Sequence, residues 1–360
     1  MRNSCSSKTV IRIMGAYVSW VMGSGFATGQ EIFQFFTSYG YKSFILIAIN
    51  LAGFMLIGGM ILVTGCRHRD DPSFSQTRFF CGKYLGSFYD WFIPISMFAG
   101  MVILVSGAGA TLNEYYGLNH YIGAFLVAAA AFAAYVIGFQ RFVRIISVIG
   151  PVIICFTVIV GAVTVINDFD GLAAAGSAAE SMEQYQPVGM WWIAGILYIS
   201  YNIADGSVFY TALGGSAENI REALLGALLG SIALIAAILL MNTAMLAEAG
   251  SICGLSVPNL YLARRISPVL GMAFSLILVC GIFSTCSAML WTVGQKFTKQ
   301  GTGKSCIFAG CIAAAAFVLG LLPFTDLIGT VYPYLGYAGL PYIVCVIYKA
   351  IRRLRDRHAE

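Results

Sequence analysis

Long apolar runs alternate with short polar stretches from one end of the chain to the other. They fall at about 11–36, 43–64, 88–112, 121–139, 142–166, 189–212, 222–247, 268–293, 304–322 and 327–349. A helix needs roughly 20 mostly apolar residues to cross a bilayer. The pattern therefore predicts ten membrane-spanning helices joined by short loops, with no room for a soluble domain. Two runs differ from the rest. The first holds Val21-Met22-Gly23-Ser24-Gly25-Phe26-Ala27-Thr28-Gly29-Gln30-Glu31 near its middle, and the sixth holds Ser200-Tyr201-Asn202-Ile203-Ala204-Asp205-Gly206-Ser207. Glycine weakens a helix by about 1 kcal/mol per residue relative to alanine. Elsewhere, as at Gly53, Gly58 and Gly59, glycines read as close-packing faces. In runs 1 and 6 they coincide with polar and acidic side chains, which predicts unwound backbone around a cavity.

Charge fixes an orientation for this arrangement. With both termini cytoplasmic, the inner segments hold the basic residues at 2, 8, 12, 67, 69, 78, 83, 141, 144, 221, 296, 299, 304, 349, 352, 353, 355 and 357. Only Lys42, Arg264 and Arg265 of the 21 remain outside. That asymmetry follows the positive-inside rule and supports an even number of spans. The two breaks then open two sets of five, residues 1–170 and 171–360. Five is odd, so the halves have opposite topology, and interrupted helices at matching positions of such halves point to a transporter binding site.

Composition narrows the classes further. The chain is 59% apolar and 10% charged, where soluble domains carry about 25% charged residues. The net charge of +5 is spent between apolar runs, so nucleic acid is not a partner; the bilayer is. Most of the ten cysteines lie within spans and only Cys253 falls in an external loop, which predicts free thiols. The first run carries Arg12 and no small-residue cleavage site, so it reads as a retained helix rather than a signal peptide.

Five-plus-five spans with broken helices 1 and 6 resemble the LeuT-fold transporters. Val21-Met22-Gly23-Ser24-Gly25 is similar to the GSG motif in helix 1 of the amino acid–polyamine–organocation superfamily. The string Gly25-Phe26-Ala27-Thr28-Gly29-Gln30-Glu31 is similar to a bacterial family called YkvI-like, which is grouped with amino-acid permeases. The resemblance implies an all-α polytopic protein with a 5+5 inverted repeat, in which helices 1, 2, 6 and 7 move against helices 3, 4, 8 and 9. It implies secondary transport of an amino acid or related small zwitterion or amine.

The residues themselves carry this reading some distance. A break near Gly23 exposes backbone N–H groups from about Phe26 onward, and these favour an anion. A substrate carboxylate would sit against Gly23, Ser24, Gly25 and Phe26. At the sixth break Tyr201, Asn202 and Asp205 offer carbonyls, an amide and a carboxylate. Asp205 meets a substrate ammonium or coupling cation, or else caps a helix end. Glu31 faces the vestibule, carries a proton, or pairs structurally. In sodium-coupled members of the resembling fold, a helix 8 hydroxyl pair joins helix 1 carbonyls around sodium. Gly281, Ser284 and Thr285 match that pattern, with carbonyls from Ser19 and Met22; the alternative is that the hydroxyls bond back to their own helix. Span 5 holds no lysine to replace the ion. Sodium is thus the favoured coupling ion and the proton the second, with no other cofactor. The external segment 248–267 resembles a re-entrant lid.

Other classes fit less well. His68, His120 and His358 all lie near span ends, and no His-Glu-x-x-His, Gly-x-Gly-Asp or Gly-x-Ser-Gly string occurs, so an intramembrane enzyme is not expected. A channel is disfavoured because off-register breaks block a continuous pore. A membrane receptor that binds without transporting is the remaining rival.

Overall fold

The computed structural model describes residues 5–71, 73–138, 143–299 and 302–358. Among them there are helices and no strands. The first run is cut into α1 (Ser7–Val21), α2 (Ser24–Thr28) and α3 (Gln30–Phe35). A 3-10 turn leads into α4 (Ser43–Gly53), which passes through a π-helical turn at Phe54–Gly58 into α5 (Gly59–Arg67). Then come α6 (Gln76–Tyr116), α7 (His120–Ile137), α8 (Val143–Asn167) and the short α9 (Ala175–Met182). The second half holds α10 (Trp191–Gly215), α11 (Ile220–Ala247), the short α12 (Ala249–Ile252) and α13 (Pro258–Ile266), α14 (Pro268–Phe297), α15 (Gly303–Leu319) and α16 (Phe324–His358).

Every predicted run falls on helix. Among the described residues, six segments are long and apolar enough to cross a membrane: Thr37–Arg67, α6, α7, α11, α14 and Phe324–Arg352 of α16. Gly303–Leu319 is apolar but shorter, and α8 is apolar over Pro151–Asn167. The first run is divided by its breaks, and the hydropathy of α10 is diluted by two tryptophans, three tyrosines, Asn202 and Asp205. The chain is an all-helical membrane protein.

The two unusual runs behave differently. At the first, Met22 leaves helical geometry (φ −79°, ψ 48°) and Gly23 is extended. A second break follows at Gly29, whose φ of 86° lies in the left-handed region that glycine tolerates. The expected break in the sixth run is absent: α10 is continuous from Trp191 to Gly215. Three of its polar side chains bond back to carbonyls of the helix itself, so they do not force it open. Asn202 Nδ2 donates to the Tyr198 carbonyl at 2.9 Å, Ser207 to Ala204 at 2.7 Å and Thr211 to Ser207 at 2.8 Å. Gly206 serves contact: a Cβ there would lie 2.5 Å from Trp20 Nε1.

Packing places α10 at the centre, against α16 on one side and α4 and α5 on the other, while α1 lies along α11 and α6 along α14 and α7. The crossing of α5 and α10 is closest where glycines meet backbone. A Cβ on Gly65 would lie 2.0 Å from the Thr211 carbonyl oxygen, and one on Gly214 2.0 Å from that of Leu62. Overpacking of this kind costs about 1–3 kcal/mol. Gly65→Ala should therefore lower stability by about that amount, read as a reduced thermal midpoint in detergent; an unchanged midpoint would show that the helices part without penalty.

The segment 248–267, expected as an external lid, is folded rather than open loop. α13 packs on α14 and α8, and it reaches α2 and α3. Glu114, near the end of α6, accepts from the backbone N–H groups of Ser256 and Val257 at 3.1 and 3.0 Å. Arg265 bonds Asp168 at 3.0 Å and also pairs with Glu248. Burial raises the Glu248 carboxyl above its ordinary range, and the Arg265 guanidinium opposes that rise. The ten cysteines are free.

Candidate functional site

Breaking the first run turns its backbone and three of its side chains, Trp20, Val21 and Glu31, into one wall of a partly open cavity of about 90 Å³. Gly23, Gly25 and Glu31 come from the broken segment, Ser96 from α6, Tyr201, Asn202 and Asp205 from α10, Thr285 from α14 and Tyr332 from α16. Trp20, Met97 and Met289 complete the apolar part. Five separate stretches of chain thus converge on one small space.

Two carboxylates dominate it. Glu31 lies in the first turn of α3 and is only 5% exposed. Its Oε2 accepts from the Tyr201 hydroxyl at 3.1 Å. Its other oxygen lies against the bare Cα of Gly25, so close that a Cβ there would be 1.9 Å from Oε1. Asp205 is held by Ser96, whose hydroxyl is 2.5 Å from Oδ1. Tyr332 stacks flat on Tyr201, with ring centroids 4.7 Å apart and an angle of 2° between planes. Trp20 stacks on Phe209 at 4.9 Å, which holds the indole at the edge of the space. None of the lining residues is Lys, Arg or His.

The backbone around the break is bonded from outside it. The Thr28 hydroxyl donates to the Gly25 carbonyl at 2.6 Å. Asn259, on α13, donates from Nδ2 to the Ala27 carbonyl at 2.9 Å, satisfying an acceptor that the short α2 leaves free. The segment 248–267 is thereby joined directly to the break.

Of the residues expected at the site, Gly23, Gly25, Glu31, Tyr201, Asn202, Asp205 and Thr285 line this cavity. Phe26 is 1% exposed and belongs to the core, contributing no wall. The side chain of Ser24 lies outside the described residues. The residues read as a sodium site are less gathered. Thr285 reaches the cavity, and its hydroxyl donates to the Gly281 carbonyl at 3.1 Å. Ser284 is half-buried and Met22 buried, both outside the lining, and the Ser19 side chain is on an exposed face. Ser96, Tyr332 and Trp20 were not anticipated. The signal for two of them was a proline within an apolar run: Pro94 lies two residues before Ser96, and Pro333 directly follows Tyr332.

Comparison with known proteins follows from this geometry. No family model matches the chain. It is 22% identical over 340 residues to the "Uncharacterized membrane protein YkvI" of Bacillus subtilis (strain 168), covering 94% of this chain and 96% of that one. The "Uncharacterized protein YyaD" of the same organism is 20% identical, covering 94% and 95%. Among solved structures, a mutant of the manganese transporter of Eremococcus coleocola is 15% identical, with 100% of this chain and 75% of that one covered and a TM-score of 0.46. The same transporter in complex with an aromatic bis-isothiourea substituted compound is 17% identical, with 98% and 74% covered and a TM-score of 0.45. Along nearly all of its length the chain is similar to YkvI, as the string from Gly25 to Glu31 implied.

Proposed function

We propose that the chain is a secondary transporter that carries a small solute with a cationic nitrogen, an amino acid or a related amine, across the cell membrane by alternating access. The observation that carries this reading is the pair of carboxylates, Glu31 and Asp205, facing one cavity whose lining contains no basic side chain. An isolated buried carboxylate is strongly unfavourable unless it is protonated, paired or coordinated. A cationic cargo supplies the missing charge. A site beside an interrupted helix, joining several helices that can tilt relative to one another, suits a carrier better than a pore. Cytoplasmic termini follow from the distribution of basic residues.

Sodium is the proposed coupling ion, at Thr285 and Ser284 with carbonyls of Ser19, Met22 and Gly281. Because the Thr285 proton is already given to Gly281, the lone pairs of its hydroxyl oxygen are left to coordinate a cation. The test is uptake into proteoliposomes with external sodium replaced by potassium or choline at constant pH. Sodium-dependent accumulation is expected, and Thr285→Ala should weaken sodium dependence more than it weakens affinity at saturating sodium. The two buried carboxylates favour a second reading, proton coupling through Glu31 or Asp205. Uptake indifferent to sodium but responsive to an imposed proton gradient would select it. Binding without any flux would instead identify a receptor.

A further inference from the structure

We propose that Glu31 sets the specificity of this site by filling, with the chain's own carboxylate, the place beside Gly25 where a cargo carboxylate would lie, so that the cavity takes an amine or other organic cation that carries no carboxylate. The inference rests on the transporter reading above and narrows its cargo.

Gly25 is one of the two glycines of the break that line the cavity, and without a side chain it lets a group come close to backbone. That approach is taken. A Cβ built on Gly25 would meet Glu31 Oε1 at 1.9 Å and Glu31 Cδ at 3.0 Å, with the Tyr332 hydroxyl next at 3.4 Å. The carboxylate is anchored there rather than passing through: Tyr201 donates to its far oxygen at 3.1 Å, and the group is 5% exposed. Gly25's own carbonyl is also occupied, by Thr28. The anion seat at the break is therefore built in.

The space that remains has the opposite preference. Asp205 supplies a second carboxylate, fixed by Ser96. Trp20, Tyr201 and Tyr332 supply aromatic surface, which attracts organic cations through the ring quadrupole. A zwitterion entering this cavity would place its own carboxylate among two acids with no Arg, Lys or His on the walls, and like charges in a buried site repel strongly. Removing that carboxylate from the cargo removes the conflict and leaves its cationic nitrogen between Glu31 and Asp205.

Matched pairs that differ only by the carboxylate test this directly: tyramine and tyrosine, cadaverine and lysine, isobutylamine and valine. Binding to the purified full-length protein is measured by equilibrium titration and thermal shift, followed by proteoliposome uptake. At least one amine should bind about tenfold or more tightly than its amino acid. Glu31→Ala, which empties the space against Gly25, should narrow or reverse that ratio, whereas Glu31→Gln, which keeps the volume and loses the charge, should weaken the amine without admitting the amino acid. Equal or tighter wild-type binding of the amino acids overturns the inference while leaving the transporter reading intact. If no member of any pair binds or moves, the transporter reading falls and the inference with it. Should either variant fail to fold, the wild-type ranking alone decides.

Discussion

Asp205→Asn weakens cargo binding by about thirtyfold or more and abolishes concentrative uptake. The estimate comes from the buried charge. Truncating one side of a buried, hydrogen-bonded charge pair costs about 2–5 kcal/mol, and every 1.4 kcal/mol is a factor of about ten. Asparagine keeps the volume and can still meet the Ser96 hydroxyl, 2.5 Å from the native carboxylate, so α6 and α10 should stay together. Ser96→Ala is the companion. It leaves the charge but removes its hydroxyl donor, and should give a smaller loss in the same direction, about tenfold, the worth of one hydrogen bond to a charged group. Binding by titration and uptake into proteoliposomes read both. Wild-type affinity in a folded Asp205→Asn protein would remove the carboxylate from the recognition of cargo.

Gly25→Leu abolishes binding while the protein still inserts and folds around its other helices. A Cβ at this position enters the space of Glu31 Oε1, and the rest of a leucine side chain has only the cavity to occupy. The Glu31 carboxylate must then leave the Tyr201 hydroxyl, and the volume of about 90 Å³ is consumed by an apolar group. We expect a loss of about a hundredfold or more, in line with about 3 kcal/mol for displacing a buried charged hydrogen bond. Gly25→Ala separates the two causes. It displaces the carboxylate but leaves most of the volume, so its effect should be intermediate. A Gly25→Leu variant with normal insertion and normal affinity would place the cargo elsewhere.

The arrangement of runs and the acidic residues were legible in the chain because each depends on local pattern. Twenty apolar residues in a row have one economical fate in a bilayer, and each of the ten runs is helical. Glu31, Asp205 and the Gly23–Gly25 motif stood out because charge and glycine are costly there. The state of the sixth run was not legible. Gly206, Asn202 and Ser207 look alike whether a helix opens or closes its polar groups upon itself, and the choice depends on Trp20 packing against Gly206 from another segment. The second break, at Gly29, was hidden for a related reason: it is stabilised by Asn259, more than two hundred residues away in sequence. Ser96 and Tyr332 reach the cavity through helix packing, which no linear spacing reports. Sequence also suggested an anion seat open to cargo at Gly25, and pattern alone could not show its occupant, because Glu31, six residues further along, lies beyond the left-handed bend at Gly29.

The bond between Asn259 and the Ala27 carbonyl makes α2 and α13 one lever. α2 is five residues long and flanked by a bend at Gly23 and another at Gly29, so it has a pivot at each end and little stiffness of its own. Tilting it either drags α13 along or breaks the forked bond that Asn259 Nδ2 gives to the Ala27 carbonyl at 2.9 Å and, more weakly, to that of Phe26 at 3.5 Å. A neutral hydrogen bond contributes about 1 kcal/mol net, which corresponds to a population ratio of only about five. The joint is therefore strong enough to set the resting position of α13 against the break and weak enough to be released by ordinary thermal motion. Arg265, by contrast, ties the far end of α13 to two carboxylates. The helix is held loosely where it meets the break and fastened firmly at its other end.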